Sequence, residues 1–453
     1  MDRTRLADYK TNLAFYNGQQ WKDGEKRQDL PWIRRMTFNY AKVLVDKVTS
    51  YLMSELNYAV DPLDTGDAAK ELAKRAEAAL YRVQDANALS QLDFDTEIDT
   101  AVLGDGAYKV IWDPTRKDVK ISAPDVQGLY AWHMGDDLSN VWRVASKYSL
   151  SKDDVAMLYK LTPPKATSTV VEVWTAANFE LWVDEQRIRS GRNPYGVIPV
   201  IIYPNIRKPK EFWGVSDLPD LLQPTRELNR ALSQLSMILE LSGNPIAVLE
   251  NVDKADDITV QPGAVWEIPE KAKAYLLDLL QGGGVKLHVD YIDLIYRTIH
   301  DLSESPKTSF GQNERALSGV ALEMELHPLL QKIKRKRLIR TVVYRRRAEL
   351  ILRILAQHRE FDQADLARLA IRIIWGPVLP QDRARLVEEE TKLVIAGVHN
   401  RKTAADNLGV RDPEAEFAQW LTEEKNRLAI QGPSSPANTI PETPPLSQGG
   451  IGS

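Results

Sequence analysis

The sequence predicts an α+β fold that is predominantly helical, and three observations carry that prediction. Apolar residues recur at steps of three and four along several long stretches, which is the period of one helix face. Between residues 107 and 186 the period changes to two, the alternation of strands that bury one side. Asp-Pro, Gly and Pro punctuation separates those alternating runs, as turns between strands require.

Composition bounds what the chain can do. Its 453 residues can build two or three domains with sizeable cores. With 43% hydrophobic and 27% charged residues it has an ordinary soluble globular balance. A formal net charge of -4 gives no global field that would attract nucleic acid or an anionic membrane, so electrostatic function must come from local segregation of charge. The chain has 0 cysteines, which excludes disulfides, thiolate metal sites and cysteine nucleophiles. The start, "MDRTRLADYK", lacks the apolar core of a signal peptide, and no apolar run approaches the roughly 20 residues of a spanning helix. A reducing, aqueous setting is the expectation.

Residues 1 to about 60 are predicted to be helical, with Val43, Val45, Val48, Leu52 and Met53 near one face. Pro62 and Gly66 break the chain before "DAAKELAKRAEAALYRVQDA", an alanine-rich helix by propensity. A further helix over residues 89–103 stops at Gly104, a natural left-handed terminus. "AYKVIWDP", "KDVKISAP", "NVWRVASKYSL" and "TVVEVWTAANFELWVDEQ" follow as strands, with "SKDDVAMLYKL" a short interposed helix capped by Ser151.

The next helix, residues 214–243, carries a seam of Leu218, Leu221, Thr225, Leu228, Leu232, Leu235 and Leu239 at heptad spacing. Beside the seam lie Asn229, Ser233 and Ser236, small and polar, where an ordinary core helix would place larger apolar residues. They suit close approach to another helix, or a wet face. Strands are expected at residues 245–250 and 264–268, and a Gly282-Gly283-Gly284 run precedes a second helix, "VKLHVDYIDLIYRTIHDLSE". Residues 305–316 form a loop whose Pro306, Gly311 and short polar residues cannot build a core, so its order should come from neighbouring molecules. A very long helix over 317–360, kinked at Pro328, leads to a strand in "LARLAIRIIWGPVLP" and helices over 381–431. The Pro/Ser/Gly-rich tail, 432–453, is expected to be disordered.

No catalytic constellation emerges. There is no P-loop, no G-x-S-x-G elbow, and the histidines at 133, 288, 300, 327, 358 and 399 form no ligand pair. Asp93, Asp95, Glu97 and Asp99 could hold magnesium if they lay on a strand, as a metal-dependent DNA-processing enzyme would need. The local pattern is helical, which would spread them around a surface. One charge run stands out: "QKIKRKRLIRTVVYRRR" contains no acid, and Lys334, Arg337 and Arg340 within it suit DNA phosphate or acids of a neighbouring subunit. A solvated face, or pairing with acids elsewhere in the fold, is the alternative.

The order of these parts resembles that of tailed-phage portal proteins, long-tailed-phage type. "FYNGQQW" and "TFNYAKVLVDKVTSYLMSE" resemble the N-terminal helices of that family. "NPYGVIPVIIYPN" followed by "WGVSDLPDLLQPTRELNRALSQLS" resembles the approach to its stem, and "ERALSGVALEMELHPL" the turn from tunnel loop into long helix. The resemblance spans residues 9–421 and implies a wing over 1–213, a first stem helix over 214–243, a clip over 244–285 and a second stem helix over 286–303. It further implies a tunnel loop over 304–316, a long helix and returning wing strand over 317–380, a crown over 381–431 and a free tail over 432–453.

What the resemblance implies about function is a ring, dodecameric in the family, around a DNA channel at one vertex of the phage head. Its partners would be further copies of itself, double-stranded DNA, the large terminase subunit, the major capsid and scaffolding proteins, and a head-completion or tail adaptor. No membrane, metal, cofactor or catalytic step is implied, and assembly would take place in the bacterial cytoplasm before incorporation in the virion. Lys307, Phe310, Gln312 and Arg315 would face DNA from the tunnel loop, and Asn229, Ser233 and Ser236 would lie at subunit boundaries in the stem. A non-ring helical scaffold, with the two heptad-like helices paired as a simple coiled coil, is the other alternative.

Overall fold

Local capping chemistry sets the helix boundaries. Helix α1 (Asp2–Tyr16) is followed by α2 (Tyr40–Leu52), which starts where the Asn39 side chain accepts the Lys42 amide. Strand β1 (Leu56–Pro62) precedes α3 (Asp67–Ala86) and α4 (Leu89–Leu103). Helix α4 ends at Gly104, whose φ is +108°. A Cβ there would stand 2.8 Å from the Ser216 backbone nitrogen, so both conformation and space require glycine. The computed structural model describes residues 2–21, 35–243, 246–250, 273–277, 284–311, 319–379, 383–410 and 413–431.

The strand block is antiparallel throughout. Strands β2 (Asp105–Asp113) and β3 (Asp118–Ser122) form a sheet of order β3-β2-β9 with β9 (Val200–Pro204). A second sheet is a five-stranded meander of β4 (Leu129–Met134), β5 (Asp137–Ser151), β6 (Thr167–Thr175), β7 (Asn178–Val183) and β8 (Gln186–Arg192). Between β5 and β6 lies α5 (Lys152–Tyr159), capped by Ser151 as expected. The two-residue strands β10 (Ile206–Arg207) and β11 (Gly214–Val215) lead into α6 (Pro219–Gly243). Strands β12 (Ile246–Glu250) and β13 (Lys273–Leu277) pair with each other, followed by α7 (Gly284–Leu302). Helix α8 (Gly319–Gln357) runs through Pro328 and leads by the short α9 (Gln363–Leu366) to β14 (Leu369–Trp375).

Two expectations need correction. The first 60 residues are not wholly helical: Leu56 to Pro62 pair with β14, from Leu56 opposite Trp375 to Pro62 opposite Leu369. Tyr58 and Val60 alternate into the core there, a period of two in a run too short to outweigh the helical pattern before it. In α2 the inward face is Ala41, Leu44, Val45, Val48 and Leu52, whereas Val43 is 48% exposed, because successive residues turn by about 100°. The expected strand at 264–268 and the tail at 432–453 lie outside the described residues.

The chain divides into two units, Met1–Val378 and Leu379–Ser453. In the first, the main core joins Ala76, Leu80 and Val83 of α3, Tyr108 and Val110 of β2, Tyr203 of β9, and Tyr344, Ala348 and Ile351 of α8. The long helix is therefore an internal strut of the α+β region for much of its length. In the second unit α10 (Arg383–Ile395), α11 (Arg401–Asn407) and α12 (Pro413–Gln431) pack together, with the Arg401 guanidinium 3.9 Å above the Trp420 ring.

Candidate functional site

Helices α6 and α7 form a hairpin whose shared core contains Leu221, Leu228, Ala231, Ile295 and Ile299, with Leu44 of α2 closing its root. The seam of α6 is buried at Leu218, Leu221, Thr225 and Leu228 and half-buried at Leu232 and Leu235, and it emerges at Leu239, which is 52% exposed. The small polar stripe beside it serves the same chain. Asn229 Oδ1 accepts the Phe38 amide at 2.8 Å and its Nδ2 donates to Gln20 Oε1 at 2.5 Å, while Ser233 Oγ accepts the Met36 amide at 3.0 Å. Asn229 and Ser233, expected at a subunit boundary, are thus engaged by residues of their own chain. Small polar groups at these positions anchor residues 36–39 to α6 by accepting the Met36 and Phe38 amides. Ser236 is half-buried.

Helix α7 presents three faces. Ile292, Ile295, Tyr296 and Ile299 turn towards α6, and Asp290, Asp293, Arg297 and Asp301 form a charged face. Between them, Leu287, Tyr291, Leu294 and Leu302 recur at helical spacing and are 72%, 43%, 60% and 48% exposed. A run of exposed apolar residues of that length is a candidate contact surface.

Residues 303–311, following α7, are held by their own chain, contrary to the expectation of external ordering. Ser303, Ser305 and Ser309 are buried, and His300 Nδ1 lies 2.6 Å from the Ser305 carbonyl oxygen. Lys307 pairs with Asp293 at 3.3 Å and stands 4.6 Å above the Tyr296 ring. Phe310 packs edge-on against His300 with ring centroids 5.4 Å apart. Two of the four residues expected to face DNA are thus committed to α7. Gln312 and Arg315 lie outside the described residues.

One face of the basic run of α8 is an internal ladder, while Lys334, Arg335, Arg345 and Arg346 stay exposed. Lys332, Lys336, Arg340 and Arg347 follow one another by steps of four, four and seven, which keeps them on one face. Arg347 forks onto Asp93, and Arg340 onto Glu97 with contacts of 2.9 to 3.1 Å. Asp217, just ahead of α6, sits between Lys336 and Lys332. All seven side chains are at least nine-tenths buried. Burial works against the charges of Arg340 and Arg347, but Glu97 and Asp93 outweigh it and raise both. Burial alone would raise the Asp217 carboxyl; the two ammonium groups hold it well below the usual carboxylate range. Burial beside Lys332 and Arg340 pushes Lys336 down to about 8, against the pull of Asp217.

Two sequence expectations fall together here. Arg340 faces neither DNA nor a neighbour but Glu97, and Arg337 donates to the Leu52 and Gly376 carbonyl oxygens and lies 4.8 Å from the Trp375 ring. Lys334 alone of the three is exposed. Asp93 and Glu97 lie one helical turn apart on the buried face of α4 rather than around a surface, and arginines consume the oxygens a metal would need. Among the described residues no group of three His, Cys, Asp or Glu is placed to hold an ion, so the enzymatic alternative loses its residues. The missed signal was the pairing of a four-residue acidic step with a basic face of the same kind elsewhere in the chain.

Two comparisons bear on identity. Residues 2–428 match the family model described as phage portal protein, SPP1 Gp6-like, and the chain belongs to that family. No curated protein matches it.

Proposed function

From that membership we propose that copies of this chain close into a dodecameric ring whose channel passes double-stranded DNA at one vertex of the phage head. In this reading α6 and α7 are the stem helices, residues 1–213 the wing, 244–285 the clip and 381–431 the crown. The clip docks the large terminase subunit, which supplies the translocating force, and later a head-completion or tail adaptor. Major capsid and scaffolding proteins surround the ring, which packages, retains and releases the genome.

The observation that carries assembly is the exposed stripe of Leu287, Tyr291, Leu294 and Leu302. In a single chain the three leucines meet water and the Tyr291 hydroxyl donates to Glu227 at 3.0 Å; in a ring of inclined hairpins each stripe can lie against the next copy. A closed ring satisfies every such surface, whereas a head-to-tail contact that does not close would propagate into filaments.

The test compares the parent with Leu294→Arg by sedimentation and negative-stain electron microscopy. Leu294 is 60% exposed in the single chain, so the substitution leaves folding unaltered and places a charge where a neighbour should pack. Parent rings with a central hole, and folded single chains from the variant, are expected. A parent that sediments as a monomer or dimer, or variant rings indistinguishable from parental ones, would overturn the reading.

A further inference from the structure

One side chain touches both roots of the α6–α7 hairpin. Lys332 Nζ donates to the Ser303 carbonyl oxygen at 3.0 Å, immediately after α7, and lies 3.4 Å from Asp217 Oδ1, immediately before α6. We propose that Lys332 is a mechanical coupler: it ties the start of α6 and the end of α7 to α8, so that neither hairpin helix shifts at its root without the other. The inference concerns a single chain and stands whether or not rings form.

The electrostatics favour such a tie. Residues ahead of a helix start meet the positive end of its dipole, and carbonyls just past a helix end carry the negative end. Asp217 therefore attracts a cation through its own carboxylate, held by the α6 start, and the Ser303 carbonyl does so with the negative end of the α7 dipole behind it. Lys332 is 7% exposed at its side chain and Asp217 4%, so solvent does not screen the pair strongly. Ser303 is itself fixed, since its amide donates to the Ile299 carbonyl at 3.0 Å and its hydroxyl to the His300 carbonyl at 3.0 Å. The Ser305 hydroxyl adds a bond to the Ser303 carbonyl at 3.3 Å. A displacement of the α7 terminus would therefore pull on the ammonium group through a rigid cap.

Lys336 supplies the control. It is equally buried and also pairs with Asp217, but its ammonium group has no bond to the α7 end among the described residues. A coupler and a merely stabilising ion pair consequently make different predictions. Loss of Lys332 should loosen both roots, and loss of Lys336 only the first.

Hydrogen–deuterium exchange on the full chain reads this directly, through peptides covering residues 217–222 and 299–305. Lys332→Met should accelerate exchange in both by about tenfold or more, whereas Lys336→Met should do so only over 217–222. Acceleration at one root or neither in Lys332→Met, or at both roots in Lys336→Met, would overturn the proposal. Should Lys332→Met fail to fold, Asp217→Asn/Lys332→Met removes the uncompensated carboxylate and is measured at 299–305. Acceleration there supports the coupler, and parental exchange there overturns it.

Discussion

Replacing Arg340 with Met is the sharpest test of the ladder. The guanidinium donates to both Glu97 oxygens, to Asn205 Oδ1 at 3.0 Å and to the Asn205 carbonyl at 2.6 Å. Methionine fills much of the stem volume but supplies none of those donors. Glu97, 1% exposed, would keep only the Tyr203 hydroxyl, at 3.2 Å. Breaking a buried pair from one side costs about 3–5 kcal/mol, because the surviving charge stays desolvated. Removing both charges is a smaller perturbation, since Arg340→Met/Glu97→Gln leaves no buried ion at that rung.

Urea unfolding followed by tryptophan fluorescence measures the parent, both single variants and the double variant. The double variant should lose less stability than the two singles together, with a coupling of roughly 1–3 kcal/mol. Stability of Arg340→Met within about 0.5 kcal/mol of the parent would refute the buried-ladder argument. Such a result accompanied by defective DNA retention would return Arg340 to the role its place in a basic run first implied.

Three further outcomes follow from particular contacts. Burial pushes the Asp105 carboxyl up to about 6, against the donors Tyr9 and Gly214 N–H, so the folded chain binds more protons than the unfolded chain between about pH 4 and 6. This group's contribution is therefore full below about pH 4 and lost as pH rises through 6; Asp105→Asn should flatten that part of the stability profile, and an unchanged slope would refute it. Gly104→Ala should cost about 2 kcal/mol or more in denaturant unfolding, since a Cβ would clash with backbone at Ser216 in a left-handed conformation; a neutral result would contradict that packing. Lys334→Glu should stay within about 0.5 kcal/mol of the parent, while Arg337→Met, which removes the donors to the Leu52 and Gly376 carbonyl oxygens and the cation over a tryptophan face, should cost about 1–3 kcal/mol, and equal effects would refute the distinction between them.

The sequence made legible what is written locally. The Gly104 stop, the Ser151 cap and the periodic helices at 67–86 and 89–103 each depend on residues within a turn or two, and they stand where expected. Strand β1 was missed because its evidence is its partner, more than 300 residues away in β14. The fate of the charges was hidden for the same reason. Asp93 and Arg347 are separated by 254 positions, so one run looked like a metal site and the other like a DNA footprint, although each completes the other. The contacts of the polar stripe on α6 were hidden in a related way: two of its partners, the amides of Met36 and Phe38, carry no side-chain signal.

Burial of Lys332, Lys336, Arg340 and Arg347 is compatible with the proposed channel, which should not grip its cargo. Neutralising each phosphate adds to affinity and to its salt dependence, so a row of free lysines and arginines on a channel wall would hold DNA rather than let it pass. Lys332, Lys336, Arg340 and Arg347 of the basic run are instead spent on Asp93, Glu97 and Asp217, while Lys334, Arg335, Arg345 and Arg346 stay exposed. The charged face left on α7 sets Asp290, Asp293 and Asp301 against Lys286 and Arg297, and Asp293 already engages Arg297 and Lys307. Turned towards DNA in the proposed ring, such a face would repel slightly more than it attracts and would show no preference among sequences. In the proposed ring, a wall of this kind, weak in its contacts with the duplex, would suit translocation by a separate motor.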